Sequence, residues 1–206
     1  MDETSPEIAF LFLGNQPILD FINTRLVLEG MPVDLMGTFS DLLAWFVKAG
    51  LMSAEDGTRV KRQWEGTTEA KQVLDQAKAF RDQVREVVER IVAGQPVSLA
   101  DIEVINKKLR YHQGYSQLIL RGEKLSRTFQ TESNDPGYLL GLLADATANL
   151  LSSGDFQRIK KCQNPACVLL FLDTTKNHAR VWCNMATCGN QSKVAAHYRR
   201  HRTRSN

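Results

Sequence analysis

All four cysteines of the chain, Cys162, Cys167, Cys183 and Cys188, fall within its last quarter, in the spacing C-x4-C-x15-C-x4-C. Two close pairs joined by a mid-length spacer are what a tetrahedral zinc site requires. Each pair makes a turn that points two sulfurs inward, and the spacer returns the chain to the metal. The four-residue gaps make each turn wider than in a common zinc ribbon. Four thiolates fill the coordination sphere, so the ion expected here is one structural Zn2+ with no open position for a catalytic water. Buried free thiols and two disulfides are the alternatives. The symmetry of the spacing and the absence of other cysteines favour zinc, as does a reducing compartment.

That compartment follows from the rest of the sequence. The start, Met1-Asp2-Glu3-Thr4-Ser5, is acidic, and the apolar run over 8–13 is only six residues long. Neither fits a signal peptide, and no stretch approaches the roughly 20 apolar residues of a membrane helix. The expectation is a cytoplasmic protein with no membrane partner. At 206 residues, 43% hydrophobic and 24% charged, the chain is globular in composition and long enough to bury a core without disulfides.

The net charge of +3 hides a division. Residues 1–155 hold sixteen Lys and Arg against twenty-two acids, a net −6, whereas residues 156–206 hold ten against the single acid Asp173, a net +9. Such asymmetry points to a polyanionic partner for the basic part. A zinc ion with four thiolates carries −2, which still leaves a large positive excess. The helix end at Gly154-Asp155, the charge reversal and the onset of cysteines coincide, so the expected domains are 1–155 and 156–206.

The first domain reads as mostly helical. Pro17 opens a helix expected to run to about Val27. Thr38 with Asp41, Ser53 with Asp56 and Ser98 with Asp101 are helix-start signals, and Gly50 is a natural stop. A long helix over about 68–93 buries Val73, Ala77, Phe80, Val84, Val87, Val88 and Ile91, and Gly94 ends it. Residues 8–13 are a strand candidate, and 115–121 with the run through Phe129 form a hairpin candidate. Together they suggest a small antiparallel sheet against which the helices pack. Pro136-Gly137 opens a last apolar helix that ends near Gly154. The fold class is thus α+β, a mostly helical N-terminal domain with a small antiparallel sheet. A small four-cysteine zinc-finger domain follows and ends in a basic helix.

That helix is expected after Cys188, where Lys193, His197, Arg200 and Arg204 share one face and Val194, Ala195 and Tyr198 pack on the zinc core. With Arg180, Gln191 and Arg199 they are the candidate nucleic-acid contacts. Three other readings compete: the charges offset the zinc centre and the helix dipole, they dock on the acidic body, or they are a solvated face. A protein-interaction scaffold whose basic tail grips an acidic partner is the alternative function. The body holds one histidine, His112, no cysteine, no Gly-rich phosphate loop and no G-x-S-x-G serine, so no catalytic constellation is expected. Asp20, Asn23 and Thr24 cap locally or, with Trp45, Arg81 and Arg85, line a ligand pocket. Arg81 and Arg85, four residues apart, could clamp a carboxylate or phosphate.

The segments Lys161-Cys162 to Cys167, Leu170-Phe171-Leu172-Asp173-Thr174 and Arg180-Val181-Trp182-Cys183-Asn184-Met185-Ala186-Thr187-Cys188-Gly189-Asn190 resemble the CGNR-type zinc finger. Gln191 stands where that family's name has Arg; it removes a charge but keeps a side chain that can pair with adenine N6/N7. Gly14-Asn15, Leu19-Asp20-Phe21-Ile22-Asn23-Thr24 and Asp41-Leu42-Leu43-Ala44-Trp45 through Ala49-Gly50-Leu51 are similar to the ABATE domain. Together the two resemblances cover nearly the whole chain. They imply a stress-induced transcription regulator of bacteria whose finger binds duplex DNA, with a body that senses a small-molecule effector or forms a homodimer.

Overall fold

A computed structural model describes residues 9–131 and 133–194. His197, Arg199, Arg200 and Arg204 lie outside the described residues, as do Ala195 and Tyr198. Helix α1 (Pro17–Ile22) is followed by strands β1 (Arg25–Leu28) and β2 (Met31–Asp34). Helices α2 (Phe39–Lys48), α3 (Ala54–Trp64), α4 (Thr68–Val92) and α5 (Leu99–Leu109) come next. A hairpin of β3 (Gly114–Arg121) and β4 (Lys124–Thr131) precedes α6 (Tyr138–Ser152). Strands β5 (Ile159–Lys161) and β6 (Leu170–Leu172) then lead to a helical segment over 185–194.

The helix starts expected from the sequence are present. Thr38 and Ser98 each make a reciprocal capping box with the aspartate three residues on, and Ser53 accepts from the Asp56 N–H. The 25-residue α4 is the axis of the body. Its Val73, Ala77, Phe80, Val84 and Val88 face Phe21 and Ile22 of α1, Leu42 and Phe46 of α2, and Leu139 and Leu143 of α6 in one cluster. Trp45 is wholly buried in this core, its ring 4.8 Å from that of Phe21. His112 stacks on Phe129 at 4.0 Å, docking the base of the β3–β4 hairpin on the body.

Three expectations are corrected. Residues 9–13 form no strand; Leu11 and Leu13 instead run as extended coil over the zinc-side core. Helix α1 ends at Ile22 rather than near Val27. The Thr24 hydroxyl donates to the Phe21 carbonyl at 2.7 Å, and the chain turns into the β1–β2 hairpin. Its two-residue loop, Glu29 and Gly30, has positive φ at both positions, the twist a tight hairpin needs. The strands do not join into one sheet. They pair as three separate antiparallel ladders, β1–β2, β3–β4 and β5–β6.

The zinc-side segment is not packed independently of the body. Ile159 of β5 and Leu170 and Leu172 of β6 belong to the main core, beneath α1, α4 and α6. The alternate residue of β6, Phe171, points the other way into a second cluster with Leu26, Leu169 and the cysteines. Strand β6 therefore serves two cores with its two faces. No helix among the described residues is long and apolar enough to cross a membrane.

Candidate metal centre and nucleic-acid interface

The first cysteine pair sits on the β5–β6 turn. Cys162 follows β5 and its N–H donates to the Leu169 carbonyl at 2.9 Å. Between the two cysteines, the Asn164 carbonyl accepts from Cys167 N–H at 2.8 Å and its side-chain oxygen from Ala166 N–H at 3.1 Å. This Asx turn gives the four-residue gap its width. The second pair is built on a π-type turn, Met185–Gly189, whose closing bond runs from Gly189 N–H to the Asn184 carbonyl at 3.1 Å. A turn with that period brings residues five apart onto one side, which is the separation of Cys183 and Cys188. Asn184 caps it by accepting from Ala186 N–H at 2.8 Å. A Cβ at Gly189 would lie 2.4 Å from Met185 Sδ and 3.2 Å from Trp182, so a larger residue there would displace the Met185 side chain and crowd the indole.

These two turns place all four sulfurs within 4.8 Å of one another. Cys167 Sγ is 3.7 Å and Cys188 Sγ 3.5 Å from Cys183 Sγ, and Cys162 Sγ accepts from Cys183 N–H at 3.4 Å. Those separations are far beyond a disulfide bond and near the edge of about 3.8 Å that Zn–S bonds of 2.3 Å give a tetrahedron. Electrostatics points the same way. Hydrogen bonding with Cys183 pulls the Cys167 thiol down to about 5, while that interaction and burial push Cys183 far up. Packed thiols resist ionising together, and a divalent cation among them removes the conflict. The set fits one structural zinc ion held by Cys162, Cys167, Cys183 and Cys188.

A buried carboxylate braces the loop between the knuckles. Asp173 accepts from Lys160 Nζ at 2.7 Å, Thr175 Oγ1 at 2.6 Å, Thr175 N–H at 3.0 Å and Arg180 N–H at 2.9 Å. Burial alone would raise its pKa, but these donors outweigh it and hold the carboxyl well below the usual range. Lys160 Nζ also donates to the His178 and Arg180 carbonyls, closing the loop.

Arg180, expected as a nucleic-acid contact, is spent inside the protein. Its guanidinium lies 4.2 Å over the Phe171 ring and donates to the carbonyls of Leu13, Trp182 and Cys183. Gln191 and Lys193 are exposed on the helical segment. Val194 is exposed as well, against the expectation that it packs on the zinc core. It lies on the same helix face as Thr187 and Gln191.

Five of the six residues expected to line a ligand pocket, all but Trp45, are engaged in internal bonds instead. Asn23 reaches across to β6, donating to the Leu170 carbonyl at 2.8 Å and accepting from Leu170 N–H at 3.0 Å. Arg85 donates to the carbonyls of Val168, Ile22 and Arg25. Arg81, with 2% of its side chain exposed, makes a two-pronged pair with Asp34, both bonds 2.7 Å, and donates to Thr24 at 2.9 Å. Asp20 accepts from Gly14 N–H at 2.6 Å, and burial pushes its pKa up to about 6 against the pull of that bond. Gly14 in turn accepts from Leu172 N–H at 2.8 Å, and Asn15 Nδ2 donates to the Leu172 carbonyl at 3.0 Å. Trp45 lies deeper, within the apolar core. Sequence reasoning found these residues and missed their role, because most of their partners are distant in the chain, 147 residues for Asn23 and Leu170 and 47 for Arg81 and Asp34. It also missed Asn164, Lys160 and Asp173; the single acid in a basic stretch was the signal for the last.

The family model for the CGNR zinc finger matches residues 158–201. That for the ABATE domain, described as "Putative stress-induced transcription regulator", matches residues 15–154. No curated protein matches the chain.

Proposed function

The chain belongs to the ABATE family of transcription regulators, and from that premise we propose that it is a non-enzymatic regulator whose zinc-clamped segment binds duplex DNA. The observation that carries this reading is the placement of the helix over 185–194. It springs directly from the metal knuckle, exposes Lys193 and Gln191, and leads into a stretch with no acid from residue 174 to the C-terminus. A helix on a metal base that presents Lys193 and leads into a basic stretch of sequence suits phosphate contacts and groove entry.

In this reading 1–155 and 156–206 are the functional halves, and the seam passes the state of one to the other. The body serves as the sensing or dimerising half, under stress in a bacterial cytoplasm. Any effector binds elsewhere than at Asp20 or Asn23, whose bonds hold the seam, or at Arg81, whose two terminal nitrogens are taken by Asp34 and Thr24. The exposed Lys193 supplies phosphate contacts together with Arg199, Arg200, Arg204 and His197 of the sequence beyond.

The test is duplex binding by the full-length, zinc-loaded protein and by its Lys193→Ala/Arg200→Ala variant. The reading predicts at least a tenfold loss in the variant with zinc still at one per chain. Equal affinity of the two proteins for duplex, or tighter binding to an acidic protein partner than to duplex, contradicts it.

A further inference from the structure

We propose that Gln191 is the base-reading side chain of this module, oriented by Asn164 of the first knuckle so that it selects an A·T pair in the major groove. The assignment rests on the DNA-binding reading above.

The orientation of the Gln191 amide follows from a chain of hydrogen bonds that starts at the backbone. Ala166 N–H can only donate, and it donates to the Asn164 side chain at 3.1 Å, so the atom facing it is Oδ1. The other end of that amide, Nδ2, therefore points outward and donates to Gln191 Oε1 at 3.0 Å. Gln191 Nε2 is thereby left as the outward group, with no partner among the described residues, and Oε1 retains a second lone pair. A donor beside an acceptor is the pattern that adenine matches, with N7 accepting and N6–H donating.

The surroundings suit a base edge better than a phosphate. Ala186, Thr187, Asn190, Gln191 and Val194 line a shallow concavity on the helix. Positions 187, 190, 191 and 194 fall on one helical face. Val194 is 54% exposed there, and the methyl groups of Val194, Thr187 and Ala186 offer apolar contact to a thymine methyl, which a phosphate surface does not need. Asn190 Nδ2 is already used on the Ala186 carbonyl at 3.1 Å, which leaves its oxygen as a further acceptor.

The Asn164–Gln191 bond crosses between the two cysteine turns, so it forms only when the knuckles are clamped together. It also removes rotamer freedom that a solitary glutamine would lose on binding. Asn164 is thus a positioning residue and Gln191 the reader.

Selection of duplexes from a random pool by the full-length, zinc-loaded protein, followed by competition between duplexes differing at one base pair, tests this. The wild type is expected to favour A·T over G·C at one position by roughly ten- to a hundredfold. Gln191→Arg should move the preference at that position to G·C, because arginine pairs with guanine O6 and N7. Gln191→Met should abolish the preference with the first knuckle intact. Asn164→Asp, which keeps an oxygen for Ala166 N–H but has no donor for Gln191, should shrink the ratio several-fold while zinc stays at one per chain; a merely structural role would weaken all duplexes alike. If Gln191→Arg selects the same base pair as the wild type, or if Gln191→Met leaves the ratio intact, the assignment of Gln191 is overturned and DNA binding itself stands. If the wild type binds no duplex, or prefers single-stranded RNA, the DNA-binding reading falls and this inference with it.

Discussion

The helical body and the zinc knuckles are held together by opposite means. The body buries a continuous apolar cluster, from Ile18 through Phe46, Phe80 and Leu143, and helices α2 to α5 begin at self-sufficient side-chain caps. The knuckle region has a small second cluster, half of it cysteine, and its strands β5 and β6 are three residues each. So short a ladder is not stable alone. Two things replace the missing core: a metal on one side of β6 and the body on the other. Of the residues that look like a ligand site in the body, Asn23 grips that strand directly and Asp20 does so through Gly14.

The comparison is broken most severely by removing the metal. Cys183→Ser should lose zinc and unfold the knuckles, since structural zinc contributes on the order of 10 kcal/mol to such a module. The body's helical signal in far-UV circular dichroism should persist. Retention of one zinc per chain and an unchanged spectrum would contradict a structural role.

Next in size is the Arg81–Asp34 pair, which ties β2 to α4 within the body and does not touch the knuckles. Arg81→Ala should cost about 3–4 kcal/mol in urea unfolding, because it removes both charge-assisted bonds to Asp34 and empties a buried site. Asn23→Ala removes both bonds to Leu170 and leaves a buried N–H and carbonyl unpaired, a loss of about 2–4 kcal/mol. It should also speed zinc loss to a chelator, whereas Arg81→Ala should do so much less. Equal zinc retention in the two variants would show that the grip on β6 does not support the metal site.

A smaller effect concerns pH. Asp20 takes up its proton more readily in the folded chain, with its pKa raised from 3.8 to about 6. Its contribution to stability is therefore fully present below about pH 4 and is lost as pH rises through about 6. Asp20→Asn, which can still accept from Gly14, should become progressively more stable relative to wild type across that window. A constant difference between the two from pH 4 to 7 would remove burial as the cause. Smallest is Ser98→Ala, the loss of the α5 cap in the body, worth about 1 kcal/mol and expected to leave zinc retention unchanged.

What the sequence disclosed follows the same division. Features set by local chemistry were legible: the capping pairs Thr38/Asp41 and Ser98/Asp101, the apolar stripe of α4, the β3–β4 hairpin and the four ligands. The β1–β2 hairpin was missed because Ile18, Phe21 and Ile22 keep a helical stripe up to its edge. Glu29-Gly30 before Pro32 was the available turn signal. The strand expected over 8–13 rests on hydrophobicity alone, with no partner to pair with among the described residues. The seam could not be read, since Asn23 and Leu170 are 147 residues apart and a polar residue at a helix end looks the same whether it caps or bridges.

The most direct test of the central claim is the salt dependence of duplex binding by the full-length, zinc-loaded protein. With about 4–6 phosphates neutralised, log K against log salt should fall with a slope of roughly −4 to −5. A slope near zero, at an affinity that survives removal of the zinc, would contradict the account.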